Sequence, residues 1–164
     1  MPRKSTAGPH RYQYELGKRN YNFAAQVDAI VAKTEKRMTA LARESIQRTI
    51  DIAQMPVAKG GKMRVDTGFL RASGQASYNG MPTGETRGEV KGEGEEAKSV
   101  NYTYDGTGAT TQLSKLQLGT IFYFGWTAAY AKYREAYDGF LETAVQKWPD
   151  TVAKVTEEIK ARIK

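Results

Sequence analysis

The stretch Val65-Asp66-Thr67-Gly68-Phe69-Leu70-Arg71-Ala72-Ser73 decides what kind of protein this chain builds. Its first half reads in two ways. Asp66 is either a catalytic carboxylate carried on a loop, or part of a turn that starts a helix. The residues around it favour the turn. Gly60-Gly61-Lys62-Met63-Arg64, just before, make a poor buried strand, and Phe69-Leu70-Arg71-Ala72, just after, look like a helix start. Asp66 or Thr67 then caps that helix by accepting a backbone N–H of its first turn. Gly68 relieves crowding at the junction and Leu70 anchors the helix in the core. Arg71 is left for a carboxylate or a carbonyl, within the subunit or across a subunit boundary.

Upstream of this junction, residues 23–53 read as one long helix. Phe23, Val27, Ile30, Thr34, Met38, Leu41 and Ser45 recur every three or four residues, and Ile46, Ile50 and Ala53 take over the stripe. Asn22 is its expected N-cap and Pro56 helps to stop it. Lys33, Lys36, Arg37, Arg43 and Arg48 lie off the stripe, interrupted by Asp28, Glu35, Glu44 and Asp51, as on a solvated face.

Downstream comes a Gly-rich region, 79–112, with strands expected near 85–91 and at 98–104. In the second of these Val100, Tyr102 and Tyr104 alternate with Asn101 and Thr103. Gly92-Glu93-Gly94-Glu95 is the turn between them, and Asp105-Gly106-Thr107-Gly108 reads as another hairpin tip. Residues 118–126, LGTIFYFGW, are apolar on both faces and read as the central strand. A short helix is expected over 128–137, broken by Gly139. Residues 140–163 then carry Leu141, Val145, Trp148, Val152, Val155, Ile159 and Ile163 on one stripe, as a helix kinked at Pro149 or as two abutting helices. This order gives an α+β fold, with long N- and C-terminal helices packed on a small, mainly antiparallel sheet. The expected organisation is a basic arm over 1–20 and one domain over 21–164, with the Gly-rich stretch as a loop insert.

Composition narrows the chemistry. The 164 residues suffice for one domain with a real core. With no cysteine and only His10, thiolate chemistry, disulfides and most metal schemes fall away, so neither a cofactor nor a metal is expected. No apolar run approaches the roughly 18 residues of a membrane span, and MPRKSTAGPH lacks the apolar segment of a secretory signal. The net charge is +7. Arg3, Lys4, Arg11, Lys18 and Arg19 concentrate it in the arm, while Glu85, Glu89, Glu93, Glu95 and Glu96 form an acidic counterpart. The arm is therefore a candidate partner-binding segment, for protein or for nucleic acid. Gly60-Gly61-Lys62 lacks the spacing of a phosphate loop. Glu135 beside Arg134 reads as an ion pair. The ten tyrosines suit a core roof together with a protein interface. An aspartic protease also carries an Asp-Thr-Gly loop, but it needs two carboxylates sharing a proton and a buried strand before each loop. That leaves the protease the remotest alternative, behind a nucleic-acid-binding module that uses the arm.

Two segments together resemble a known family. Val65, Asp66, Thr67, Gly68, Leu70 and Arg71 match a "valine-aspartate-threonine-glycine, x, leucine-arginine" motif. Tyr130, Ala131, Tyr133 and Glu135 match a later "tyrosine-alanine-x-tyrosine-x-glutamate" motif, and Phe140, Leu141 and Ala144 match the start of a closing helix. In order and spacing, residues 23–160 resemble the tail-completion or head–tail joining (neck) family of long-tailed bacteriophages. One departure is that Ala136-Tyr137-Asp138-Gly139 stands where the family usually has x-glycine-threonine after its glutamate. The resemblance implies a non-enzymatic virion protein, made in the host cytoplasm. It implies a homo-oligomeric ring, commonly hexameric, between the head–tail connector and the tail tube or tail terminator, near packaged DNA and away from membranes.

Overall fold

The computed structural model describes residues 10–92 and 98–162, with residues 10–22 as helix backbone only. Helix α1 runs His10–Ala53, so it begins well before the expected start, and Asn22 lies inside it rather than capping it. Nothing between His10 and Asn22 breaks a helix apart from Gly17, which costs only about 1 kcal/mol in a helix interior. The chain divides between Met38 and Thr39 into two compact units. The apolar stripe behaves differently in each. In the first unit Phe23, Ile30 and Met38 are 68, 65 and 52% exposed, against the expectation that they face the core. In the second, Ser45, Ile50 and Ala53 are buried.

The second unit holds everything from Thr39 onward. After α1 the chain makes a 3-10 turn at Val57–Lys59 and enters α2, Phe69–Ala72. Strand β1, Gly74–Ser77, follows, then the short pair β2 (Val90–Lys91) and β3 (Lys98–Ser99). Helix α3, Thr107–Leu113, leads to strand β4, Tyr123–Trp126, and the chain ends in α4 (Ala131–Asp138), α5 (Phe140–Gln146) and α6 (Trp148–Arg162). The fold is α+β, with helices at both ends of a small antiparallel sheet. β1 pairs antiparallel with β4, from Gly74 opposite Trp126 to Ser77 opposite Tyr123, and β2 pairs antiparallel with β3. Thr86 extends the first pair: its N–H donates to the Thr127 carbonyl at 2.8 Å, and its carbonyl accepts from Ala129 N–H at 2.9 Å.

Several local expectations change. The run 118–126 pairs only over its last four residues, and those are half-buried rather than enclosed on both faces. A turn intervenes, in which the Thr120 N–H donates to the Gln117 carbonyl at 3.2 Å, leaving Leu118 and Ile121 exposed. Of 98–104 only Lys98–Ser99 pairs, although Tyr102 and Tyr104 keep the inward alternation against exposed Asn101 and Thr103. Near 85–91 only Val90–Lys91 belongs to a strand. Asp105 starts a helix instead of tipping a hairpin. Its carboxylate accepts from both the N–H and the hydroxyl of Thr107 at 3.0 Å, which holds the Asp105 pKa below its ordinary value. Pro149 sits in the first turn of α6, where a missing N–H costs nothing, so 140–162 is two abutting helices. On them Val155 and Ala144 are buried, whereas Leu141, Val145 and Trp148 are exposed, Trp148 by 40%. Trp148 is therefore not the core anchor that its stripe suggested. Phe140, one residue off the stripe, takes that part at 1% exposure.

Two clusters make the core. Met63, Leu70, Ala128 and Phe140 gather with Phe69, Trp126 and Ala131, and Ile50, Ala109 and Leu113 gather with Ile46, Phe122 and Phe124. β4 links them, because Phe124 and Trp126 lie two apart and share a face, their rings meeting edge-on at 5.2 Å. Trp126 continues the chain of rings to Phe140 at 4.9 Å. A partly exposed ion-pair network holds the end helices together. Arg48 pairs with Glu158 of α6 and, at 2.6 Å, with Glu44, and Arg162 reaches Glu44 at 3.4 Å.

Candidate functional site

The two motif segments meet at one cleft of about 610 Å³, whose walls include the loop 64–71, Glu89, Tyr102, Tyr130 and Arg134. Gly68 sets the shape of the loop. It is the N-cap of α2 with φ of 82°, a left-handed conformation that glycine enters without penalty. A Cβ there would stand 2.2 Å from the Tyr102 carbonyl oxygen, so close approach demands glycine as strongly as the backbone angle does. Thr67 caps through its hydroxyl, which accepts the Phe69 N–H at 3.4 Å, while its carbonyl accepts the Tyr102 N–H at 2.7 Å. The loop is thereby stitched to the segment before α3. Phe69 packs edge-on against Tyr102 at 5.0 Å and leans toward Tyr130 at 6.3 Å.

Leu70 is buried as expected. Arg71 finds its carbonyl within the same chain: its Nε donates to the Gln54 carbonyl, at the end of α1, at 2.9 Å. The guanidinium also lies 5.2 Å from the Tyr104 ring centre. The Asp-Thr-Gly tripeptide is therefore a loop-to-helix junction, and the motif arginine serves the fold. Val65 and Asp66, the first two motif residues, stay exposed on the cleft wall.

The second motif divides its labour. Ala131 packs on the core and Tyr130 lines the cleft. Burial raises the Tyr130 hydroxyl pKa; the Leu70 N–H and Arg134 oppose this and Asp66 adds to it, so the phenol is neutral at physiological pH. Burial raises Tyr104 likewise. Glu135 does not pair with Arg134. Its two carboxylate oxygens accept the N–H groups of Leu141 and Glu142 at 2.8 and 2.9 Å, capping α5 where the helix dipole favours a negative charge. Gly139, at φ of 61°, makes the break that lets α5 turn back onto that carboxylate. Arg134 pairs instead with Asp138 at 2.6 Å, and Arg64 approaches the same nearly buried carboxylate at 3.6 Å. The segment Ala136-Tyr137-Asp138-Gly139 thus supplies an acid that anchors both cleft arginines. Arg134–Asp138 was legible as an i, i+4 pair once the helix was placed. Tyr133 and Tyr137 point into solvent, Tyr137 by 88%.

Arg3 and Lys4 lie outside the described residues, as do Glu93, Glu95, Glu96 and Ile163. Arg11, Lys18 and Arg19 fall on the first turns of α1 rather than on an extended arm. Among the described residues no group of three His, Cys, Asp or Glu side chains could hold a metal ion, and no helix is long and apolar enough to cross a membrane. Asp66, Glu89, Arg64 and Arg134 line the cleft together with the apolar side chains of Val65, Phe69, Leu70 and Val100. That mixture suits a polypeptide segment carrying both charged and apolar groups. Comparison of the chain with protein-family models, curated proteins and solved structures returns no significant match.

Proposed function

We propose that this chain is a structural subunit of a tailed-phage virion, a tail-completion or head–tail joining protein that works by assembly and not by catalysis. The observation that carries the reading is the meeting of the two family-like segments. Residues 65–71 lie far from Tyr130 and Arg134 in sequence, yet together they line one cleft, while Glu135 caps the start of α5. A second support is the surface. Phe23, Ile30, Tyr133, Tyr137, Val145 and Ile121 are large side chains left more than half exposed, which is costly for a subunit that stays alone.

In this reading the subunits close into a ring, hexameric by the resemblance, between the connector and the tail tube or terminator. The 65–71 loop and its cleft receive a neighbouring polypeptide, and the basic N-terminal segment adds contacts with protein. The site of action is the neck of the virion. The test is complementation. A phage carrying a nonsense codon in the gene for this chain should accumulate filled heads apart from finished tails, and adding the purified chain should join them. Normal joined particles without the chain would overturn the proposal.

A further inference from the structure

The first unit of α1 carries an exposed apolar surface. From Phe23 to Met38 every position except Arg37 is exposed, yet Phe23, Val27, Ile30, Val31 and Met38 are apolar. With 3.6 residues per turn they share one face. Val27, Val31, Thr34 and Met38 follow one another at steps of four, three and four, the alternation that keeps a seam against another helix. Phe23 and Ile30 widen that seam on one side. A helix presenting such a stripe is stabilised chiefly by packing it, so the expected occupant is a second helix.

The charges say which helix. Beyond Val31 the stripe is bordered by Asp28 and Glu35, and beyond Ile30 by Arg37 and Lys33. One flank is acidic and the other basic. When two copies of such a helix lie parallel, each acidic flank runs along the partner's basic flank. When they lie antiparallel, acid meets acid and base meets base. We infer that residues 23–38 pair with the same segment of a second copy of this chain, in parallel and in register. The inference goes beyond the neck reading and does not depend on it, since it names a surface and an orientation for any assembly of the chain.

The chain has no cysteine, so single-cysteine variants of the full-length protein report the contact cleanly. Under mild copper–phenanthroline oxidation, Val27→Cys alone and Met38→Cys alone should each give a disulfide-linked dimer. Lys36→Cys, on the opposite side of the helix, should not. Val31→Asp should weaken association at least tenfold in sedimentation while leaving the near-ultraviolet dichroism of the second unit unchanged. Cross-linking only when the Val27→Cys and Met38→Cys chains are mixed would mean antiparallel helices and overturn the orientation. No cross-linking in any combination, or undiminished association of Val31→Asp, would overturn the contact itself. Neither result bears on head–tail joining, which complementation tests separately.

Discussion

Replacing Gly68 with alanine tests whether the Asp-Thr-Gly tripeptide is architecture. The perturbation has two parts. Alanine at φ of 82° enters the left-handed region, at a cost of about 1–2 kcal/mol. Its Cβ would also sit 2.2 Å from the Tyr102 carbonyl oxygen, so that segment must move away. The movement breaks the Tyr102 N–H bond to the Thr67 carbonyl, worth about 0.5–1.5 kcal/mol, and disturbs the edge-on Phe69–Tyr102 pair, worth a similar amount. The expected loss is about 2–5 kcal/mol, which for a unit of this size lowers Tm by roughly 10–20 °C. Near-ultraviolet circular dichroism, dominated by ring contacts such as Trp126–Phe140, is the direct assay of that melt. Asp66→Asn, one position from the cap on an exposed loop, should melt with the parent. A Gly68→Ala protein within about 1 °C of the parent would refute the reasoning, because neither the backbone angle nor the close approach would then constrain this site.

Glu135→Ala should lower stability by about 1 kcal/mol, read from the urea midpoint, because it uncaps α5, and Glu135→Gln should recover part of that by keeping one of the two accepting oxygens. Phe140→Ala should cost about 3–5 kcal/mol, whereas Trp148→Ala should cost under about 1 kcal/mol, since the first side chain is enclosed and the second half-exposed; equal losses would place Trp148 in the core. Arg48 holds the Glu158 carboxyl below its ordinary value, so this pair adds stability above the unfolded value of about 4.3 and loses it as pH falls through the lower folded value. Glu158→Gln should therefore be less stable than the parent at neutral pH and match it in acid, and a difference that persists in acid would point away from the ion pair.

The helical ends of the fold were legible because their apolar residues recur at helical spacing and their stops are marked by Pro56 and Gly139. The tripeptide was legible as a junction because Gly68, Leu70 and Arg71 each have one physical use there. Partner choice was less legible. Glu135 stands beside Arg134 in sequence, but on a helix adjacent residues point apart, so one reaches forward to cap α5 and the other pairs with Asp138 four residues on. Periodicity also marks an apolar face without saying what covers it. Phe23 and Ile30 share a stripe with Ser45, yet the fold buries only the far end, and Trp148 shares a stripe with Val155 on the same terms. Strand β1, Gly74-Gln75-Ala76-Ser77, has almost no apolar signal. It forms because β4 offers a partner edge, which no local pattern announces.

The claim at the centre of this account is that the chain acts by assembling with itself. Single-particle imaging of the full-length protein, together with its mass in solution, addresses that claim most directly. The account predicts closed rings with a central opening and a mass that is an integral multiple of 18.2 kDa, six-fold if the family resemblance extends to copy number. A species that stays at 18.2 kDa at every concentration, alone and in the presence of heads and tails, would contradict it.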